Sequence, residues 1–314
     1  MKLSDLVHYR NLLKEHTPGD MSASIREHVG HALYLVQEEK LQFSELTQQL
    51  AYDYQEIFQS FSNFTNTVND IQYQIRKLIN DSEPEYFKES YRLYRDEFVY
   101  DSNGYILNRR LLLNEDAVNY LHARIKLYGD WKYAGLIIRP GLDPWIHNIL
   151  GCDPLYLVDH NVELLHPAID QFNQQYQNRL RKYTVDETAH NEFLPLLPDN
   201  QFGFCLVYNY FNFKPIEIIK VYLAEIYNKL KPGGTLAFTF NNCNYAAGVI
   251  LAEKKFMCYT PGTLIMSLCN DIGYDVGQTY QIDSACAWAE LKKPGTLSSL
   301  RGGQSLARIV AKSK

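Results

Sequence analysis

The stretch Leu230–Asn242, LKPGGTLAFTFNN, constrains the fold of this chain more than any other. A helical pattern rich in Leu, Ile and Tyr, IEIIKVYLAEIYNKL, runs into Lys231-Pro232-Gly233-Gly234, and the apolar run TLAFTF follows at once. Proline cannot continue a helix, and glycine supplies the positive φ of a tight turn. The pattern therefore predicts a helix, a helix-to-strand turn and a buried strand. Upstream, LIIR (Leu136–Arg139) and LYLVD (Leu155–Asp159) are short apolar runs bounded by Gly or Pro. Strands alternating with helical patterns predict a parallel sheet with helices on both faces.

At 314 residues the chain is long enough for two cores. Its 31 basic against 36 acidic residues give no electrostatic reason to expect nucleic-acid binding. A hydrophobic share of 46% and 24 tyrosines describe an ordered protein. No apolar run reaches a membrane-spanning length of about 18 residues, and the N-terminus lacks the apolar core of a signal peptide. The six cysteines fall between Cys152 and Cys286 without Cys-x-x-Cys spacing, which predicts buried thiols in a reducing compartment and no zinc. The nine histidines show no metal spacing; His28 and His31 share a helical face without further ligands. A cytoplasmic location is expected.

The first domain is expected over residues 1–110. Ser4–His16 reads as an amphipathic helix stopped by Thr17-Pro18-Gly19-Asp20, and a long helical region follows from about Ser22 to Asn80. Within it Leu50, Tyr54, Ile57, Phe61, Phe64, Val68, Ile71, Ile75 and Leu78 alternate at three- and four-residue spacing, a coiled-coil-like seam. Self-association through this helix into a homo-oligomer is the expectation. The alternative is an intramolecular hairpin, with Ser82-Glu83-Pro84-Glu85 starting a return helix over Tyr86–Phe98. Asn103-Gly104 between two alternating runs predicts a β-hairpin. Asn114-Glu115-Asp116 then opens a helix to about Tyr128, leading into a second domain over residues 111–314.

Taken in order, Leu136–Gly141, LYLVD, LPLLPDNQFGFCLVYN and LKPGGTLAFTFNN resemble the Rossmann-like, S-adenosylmethionine-dependent methyltransferases. The likeness covers about the last 200 residues, with LKPGGTL and PDNQF as its most specific pieces. FMCYTPGTLIMSL and ELKKPGTLSSLRGGQ are further similar to methyltransferase-like proteins of large tailed cyanobacterial phages. The family implies an α/β fold with a seven-stranded sheet whose last strands form an antiparallel hairpin, here within Tyr274–Ala311. It also implies S-adenosylmethionine as cofactor.

The resemblance places a ribose-binding acid at Asp159, 18 residues after Gly141, with His160 beside it. Asp159 alternatively caps the helix that begins at His160-Asn161. Against the family's acid-x-Gly-x-Gly-x-Gly, the first loop keeps only Gly141; Ile137 replaces the acid, Arg139 the first glycine and Asp143 the third. Arg139 suits the planar carboxylate of the cofactor's methionine part and Asp143 its ammonium. Equally, these two side chains pair with each other and fill the pocket. His190 or Asn191 stands where relatives carry an acid for the adenine amino group, and Gly203 where many have the Asp of a Phe-Asp pair.

Acceptor chemistry is expected after FCLVYN, with Tyr208, Asn209 and Tyr210 as catalytic candidates. Methyl transfer from a sulfonium needs mostly positioning, so an acid–base dyad is not required. Asn212 and the aromatic run Tyr208, Tyr210, Phe211 and Phe213 suit a flat substrate, although a buried strand end packed on the next helix is the commoner use of such a run. Asn241-Asn242-Cys243-Asn244 ends the fifth strand on the same face, and Thr260-Pro261 reads as the cap and first turn of the next helix. Two functions are carried forward. One is a methyltransferase of unknown acceptor; the other is a catalytically silent structural or assembly module with phage structural partners, located in the host cytoplasm or the virion.

Overall fold

The computed structural model describes residues 2–16, 45–100, 113–141, 148–149, 151–160, 162–187 and 192–298. The chain divides into two compact units, Met1–Pro84 and Glu85–Lys314.

The first unit contains α1 (Leu3–His16) and most of α2 (Glu45–Tyr100). The seam splits into two faces. Val68 is buried, whereas Ile57, Phe64, Ile71 and Leu78, seven residues apart, are 58%, 56%, 41% and 45% exposed. The alternative of a return helix after Ser82 does not form, because α2 runs unbroken through Pro84. Ser82, read as a cap, instead donates its hydroxyl back to the Leu78 carbonyl at 2.8 Å, a bond made within a continuing helix. The expected Asn103-Gly104 hairpin, His28 and His31 lie outside the described residues.

The second unit is built on a seven-stranded sheet ordered β3-β2-β1-β4-β5-β7-β6. The strands are β1 (Ala134–Ile138), β2 (Leu155–Asp159), β3 (Leu180–Thr184), β4 (Phe202–Val207), β5 (Leu230–Asn241), β6 (Asp275–Gln281) and β7 (Cys286–Lys292). Neighbouring pairs from β3 to β5 are parallel, and β7 runs antiparallel to both β5 and β6. Alternation along the strands feeds two cores. Leu136, Ile138, Val158 and Val207 join α6 (Ile216–Lys229) and α8 (Gly262–Ile272) on one face. Ile137, Leu157, Leu206 and Trp288 join α3 (Glu115–Tyr128) and α4 (Val162–Asp170) on the other. These strands read as continuous apolar runs because both faces are covered. The remaining helices are α5 (Gln174–Gln177) and α7 (Ala246–Glu253).

Asn114 caps α3 as its sequence implies, its side-chain oxygen accepting the Ala117 N–H at 2.8 Å. Arg124 on α3 then grips Glu290 on β7 through two hydrogen bonds of 2.7 and 2.5 Å, and Trp288 Nε1 donates to the same carboxylate. Burial works to raise the Glu290 pKa, but these donors outweigh it and hold the carboxyl below its usual range.

Two local expectations are corrected. Lys231–Gly234 is not a helix-to-strand turn: β5 already begins at Leu230, and the ladder with β4 skips from Phe202↔Leu230 to Phe204↔Thr235. The Pro-Gly-Gly segment is thus a bulge in the strand, anchored where Gly233 N–H donates to Lys293 O at 2.8 Å. Thr260 is not the cap of α8; Pro261 holds that position without a side-chain bond, and Thr260 is wholly buried.

Candidate active site

Open α/β sheets bind ligands outside the carboxyl ends of their strands, at the point where strand order reverses. Here that point lies between β1 and β4, because β2 and β4 flank β1 on opposite sides. The residues that follow these two strands have unusual backbones. Arg139 has φ +53, Gly141 φ +55 and Asn209 φ +49. Glycine adopts this left-handed region freely and asparagine tolerates it, but arginine is strained there. Arg139 therefore holds a backbone conformation that a glycine would adopt without strain. Strained residues of this kind concentrate at functional sites.

The guanidinium of Arg139 donates to the Asn209 carbonyl at 3.3 Å and lies 5.8 Å from the centroid of the Tyr210 ring. Asp159, at the end of β2, is 1% exposed, and its Oδ1 is 3.3 Å from His160 Nδ1. The Gly141 carbonyl accepts from Gln171 Nε2 at 3.2 Å, which ties the first loop to the end of α4. Asp143, His190 and Asn191 lie outside the described residues.

Of the catalytic candidates, Tyr208, Asn209 and Tyr210 are all buried. The Asn209 N–H donates to Thr239 Oγ1 at 2.7 Å, and that hydroxyl donates onward to Asn212 Oδ1 at 2.9 Å. Asn212 is itself fully buried, with Nδ2 directed at Cys286 Sγ, so it serves as internal bracing between β4, β5 and β7. Asn241 does similar work, its Nδ2 donating to the carbonyls of Gly248 and Cys258 at 3.0 and 2.9 Å. Gly203 has a packing reason for lacking a side chain, because a Cβ there would lie 2.5 Å from the Cβ of Tyr133.

One residue at the centre of the site, Glu187, is absent from the sequence-based set. It follows β3, is 4% exposed, and gathers four donors. Lys214 Nζ lies 2.6 Å away, Tyr222 OH donates at 2.6 Å and Tyr94 OH at 2.9 Å, and Tyr210 OH donates as well. Burial acts to raise its pKa, but the Lys214 and His160 charges and these hydrogen bonds prevail and hold it at about 2. Burial and the Glu187 charge push the Tyr210 hydroxyl far above the ordinary phenol range, which rules it out as a general base near neutrality. The only mark of Glu187 in the sequence is its place a few residues past the third strand, which ends at Thr184.

Tyr94 brings the last turns of α2 onto this site. On the same stretch, Ser90 Oγ accepts the Tyr259 N–H at 2.8 Å, and Tyr86 and Phe87 pack on the Tyr259 ring at 5.3 Å.

No protein-family model matches the sequence, and no curated protein matches it. Solved structures similar in fold include the cyclase SpnF, at 13% identity over 58% of this chain and 84% of that one, with a TM-score of 0.47. The N-methyltransferase NodS from Bradyrhizobium japonicum shares 14% identity over 58% and 98% of the two chains, with a TM-score of 0.43. Phosphoethanolamine N-methyltransferase 2 from Haemonchus contortus, in complex with S-adenosyl-L-methionine, shares 14% over 56% of this chain and 52% of its own, with a TM-score of 0.45. The class rests on the sheet itself. A seven-stranded α/β sheet closed by an antiparallel hairpin is consistent with the Rossmann-like methyltransferase fold. Among the described residues no helix is long and apolar enough to cross a membrane, and no cluster of metal-ligating side chains occurs. All six cysteines are buried free thiols, and burial pushes Cys152 and Cys269 up to about 12.

Proposed function

We propose that the second unit binds S-adenosylmethionine and transfers its methyl group to an acceptor. The observation that carries this reading is the buried Asp159 carboxylate at the end of β2, beside a left-handed turn at Arg139 and Gly141 on the sheet's switch point. The residues suit the cofactor. A carboxylate accepts both hydroxyls of a ribose, and the Gly141 turn lets backbone approach a ligand closely. Glu187 supplies the acceptor for a base's amino group that His190 and Asn191 were expected to provide. When bound, the sulfonium supplies an electrophilic methyl; the chain's part is to bind, orient and exclude water. Asp159→Ala should remove binding of S-adenosylhomocysteine while leaving the melting temperature nearly unchanged, and unchanged affinity would contradict the assignment.

A second reading is favoured by the Arg139–Asn209 hydrogen bond, which spans the crevice itself. In it the domain is a silent assembly module, in keeping with the phage likeness of its C-terminal motifs, and acts in the cytoplasm or a virion. Under either reading α2 provides a self-association surface. Ile57, Phe64, Ile71 and Leu78 form an exposed row with the seven-residue period that a second copy of the same helix would match.

A further inference from the structure

We infer that Tyr210 is a built-in competitor for the flat base of a nucleoside ligand, so that the site opens only when this side chain leaves. The inference rests on the nucleoside reading of Asp159 and adds to it a closed state. A ribose held by Asp159 must send its base past His160 toward Glu187, the next acceptor along the strand ends. Tyr210 already lies on that line. Its ring is within 24° of parallel to His160 with centroids 6.3 Å apart, and its hydroxyl donates to Glu187. Lys214 Nζ is 4.5 Å from its centroid, and the Arg139 guanidinium covers it from the β1 side. The side chain is 2% exposed. Tyr210 thus makes with its own phenol the contacts a base would make: an aromatic neighbour, a cationic face and a hydrogen bond donated to Glu187. Ring and base cannot occupy this space together.

The backbone supplies a hinge. Asn209, immediately before Tyr210, holds φ +49, and a return to an ordinary conformation would redirect the side chain that follows. A ligand that binds only the open state loses apparent affinity in proportion to the open fraction.

The test is titration calorimetry of the full chain with S-adenosylhomocysteine and, separately, adenosine, using the wild type, Tyr210→Ala and Tyr210→Phe. Tyr210→Ala should bind about tenfold or more tightly than the wild type. Tyr210→Phe, which keeps the ring but loses the bond to Glu187, should fall between them. Equal or weaker binding by Tyr210→Ala overturns the competitor while leaving the nucleoside site intact. Binding by none of the three overturns both. Should Tyr210→Ala fail to fold, the nearly isosteric Tyr210→Phe decides alone, with tighter binding expected and unchanged binding contradicting the inference.

Discussion

Arg139 and Asn209 face each other across the point where strand order reverses, each with a left-handed backbone, and the side chain of the first is hydrogen-bonded to the carbonyl of the second. A crevice that in an open α/β sheet receives a ligand is here bridged by the protein's own atoms. The sheet is consistent with a Rossmann-like frame, and in the account proposed above Arg139, Tyr210 and Glu187 hold its ligand face closed.

The backbone of Arg139 leads to a first prediction. Arg139→Gly should be more stable than Arg139→Ala by about 1 kcal/mol, because both lose the same side-chain contacts and only glycine is at ease at φ +53. Urea denaturation of the pair measures the difference, and an alanine variant equal to the glycine variant would show that the strain is not felt.

Glu187 sets a pH dependence. Its folded pKa is depressed to about 2 from an ordinary 4.5, so the unfolded chain takes up the proton first. The stability it contributes is fully present above pH 4.5 and is lost as pH falls from there toward 2. Glu187→Gln should flatten that part of the acid-denaturation profile. Near neutrality it should cost about 3–5 kcal/mol, because Lys214 is left buried without its counter-charge.

Gly233 tests the bulge in β5. A Cβ at this position would lie 2.4 Å from the Leu297 nitrogen, and φ is +79. Gly233→Ala should destabilise the fold by about 2 kcal/mol or more, read as a lowered melting temperature. A neutral outcome would mean that the segment after β7 moves aside without cost.

The exposed row on α2 predicts association. Replacing Ile57 and Ile71 together by lysine should convert the full-length chain to monomer in light scattering, since both positions are open to a partner helix. A wild type that is already monomeric would remove α2 as an oligomer interface.

The legible parts of this fold were those written locally. Apolar runs such as Leu136–Ile138 and Leu155–Asp159 became buried parallel strands because their length and bounding Gly or Pro residues left little else open. The cap at Asn114 was equally local. Ser82-Glu83-Pro84 misled for the same reason: as a local motif it starts a helix, but contacts made by Tyr86, Phe87, Ser90 and Tyr94 belong to the following turns of one continuous α2. Glu187 was illegible because nothing local marks an acid in Arg181–Glu187 as buried. Its partners Tyr94 and Lys214 lie 93 and 27 residues away and meet it only through folding. Arg139 could be seen as a lost glycine, but not that its side chain would turn inward onto Asn209.

Titration of the purified wild-type chain with S-adenosylmethionine and S-adenosylhomocysteine tests the central claim most directly. Binding with a Kd below about 1 mM, weakened by the closed state yet saturable, is the predicted result. No saturable heat with either ligand at that concentration would contradict it and leave a methyltransferase-like sheet closed over its own ligand face.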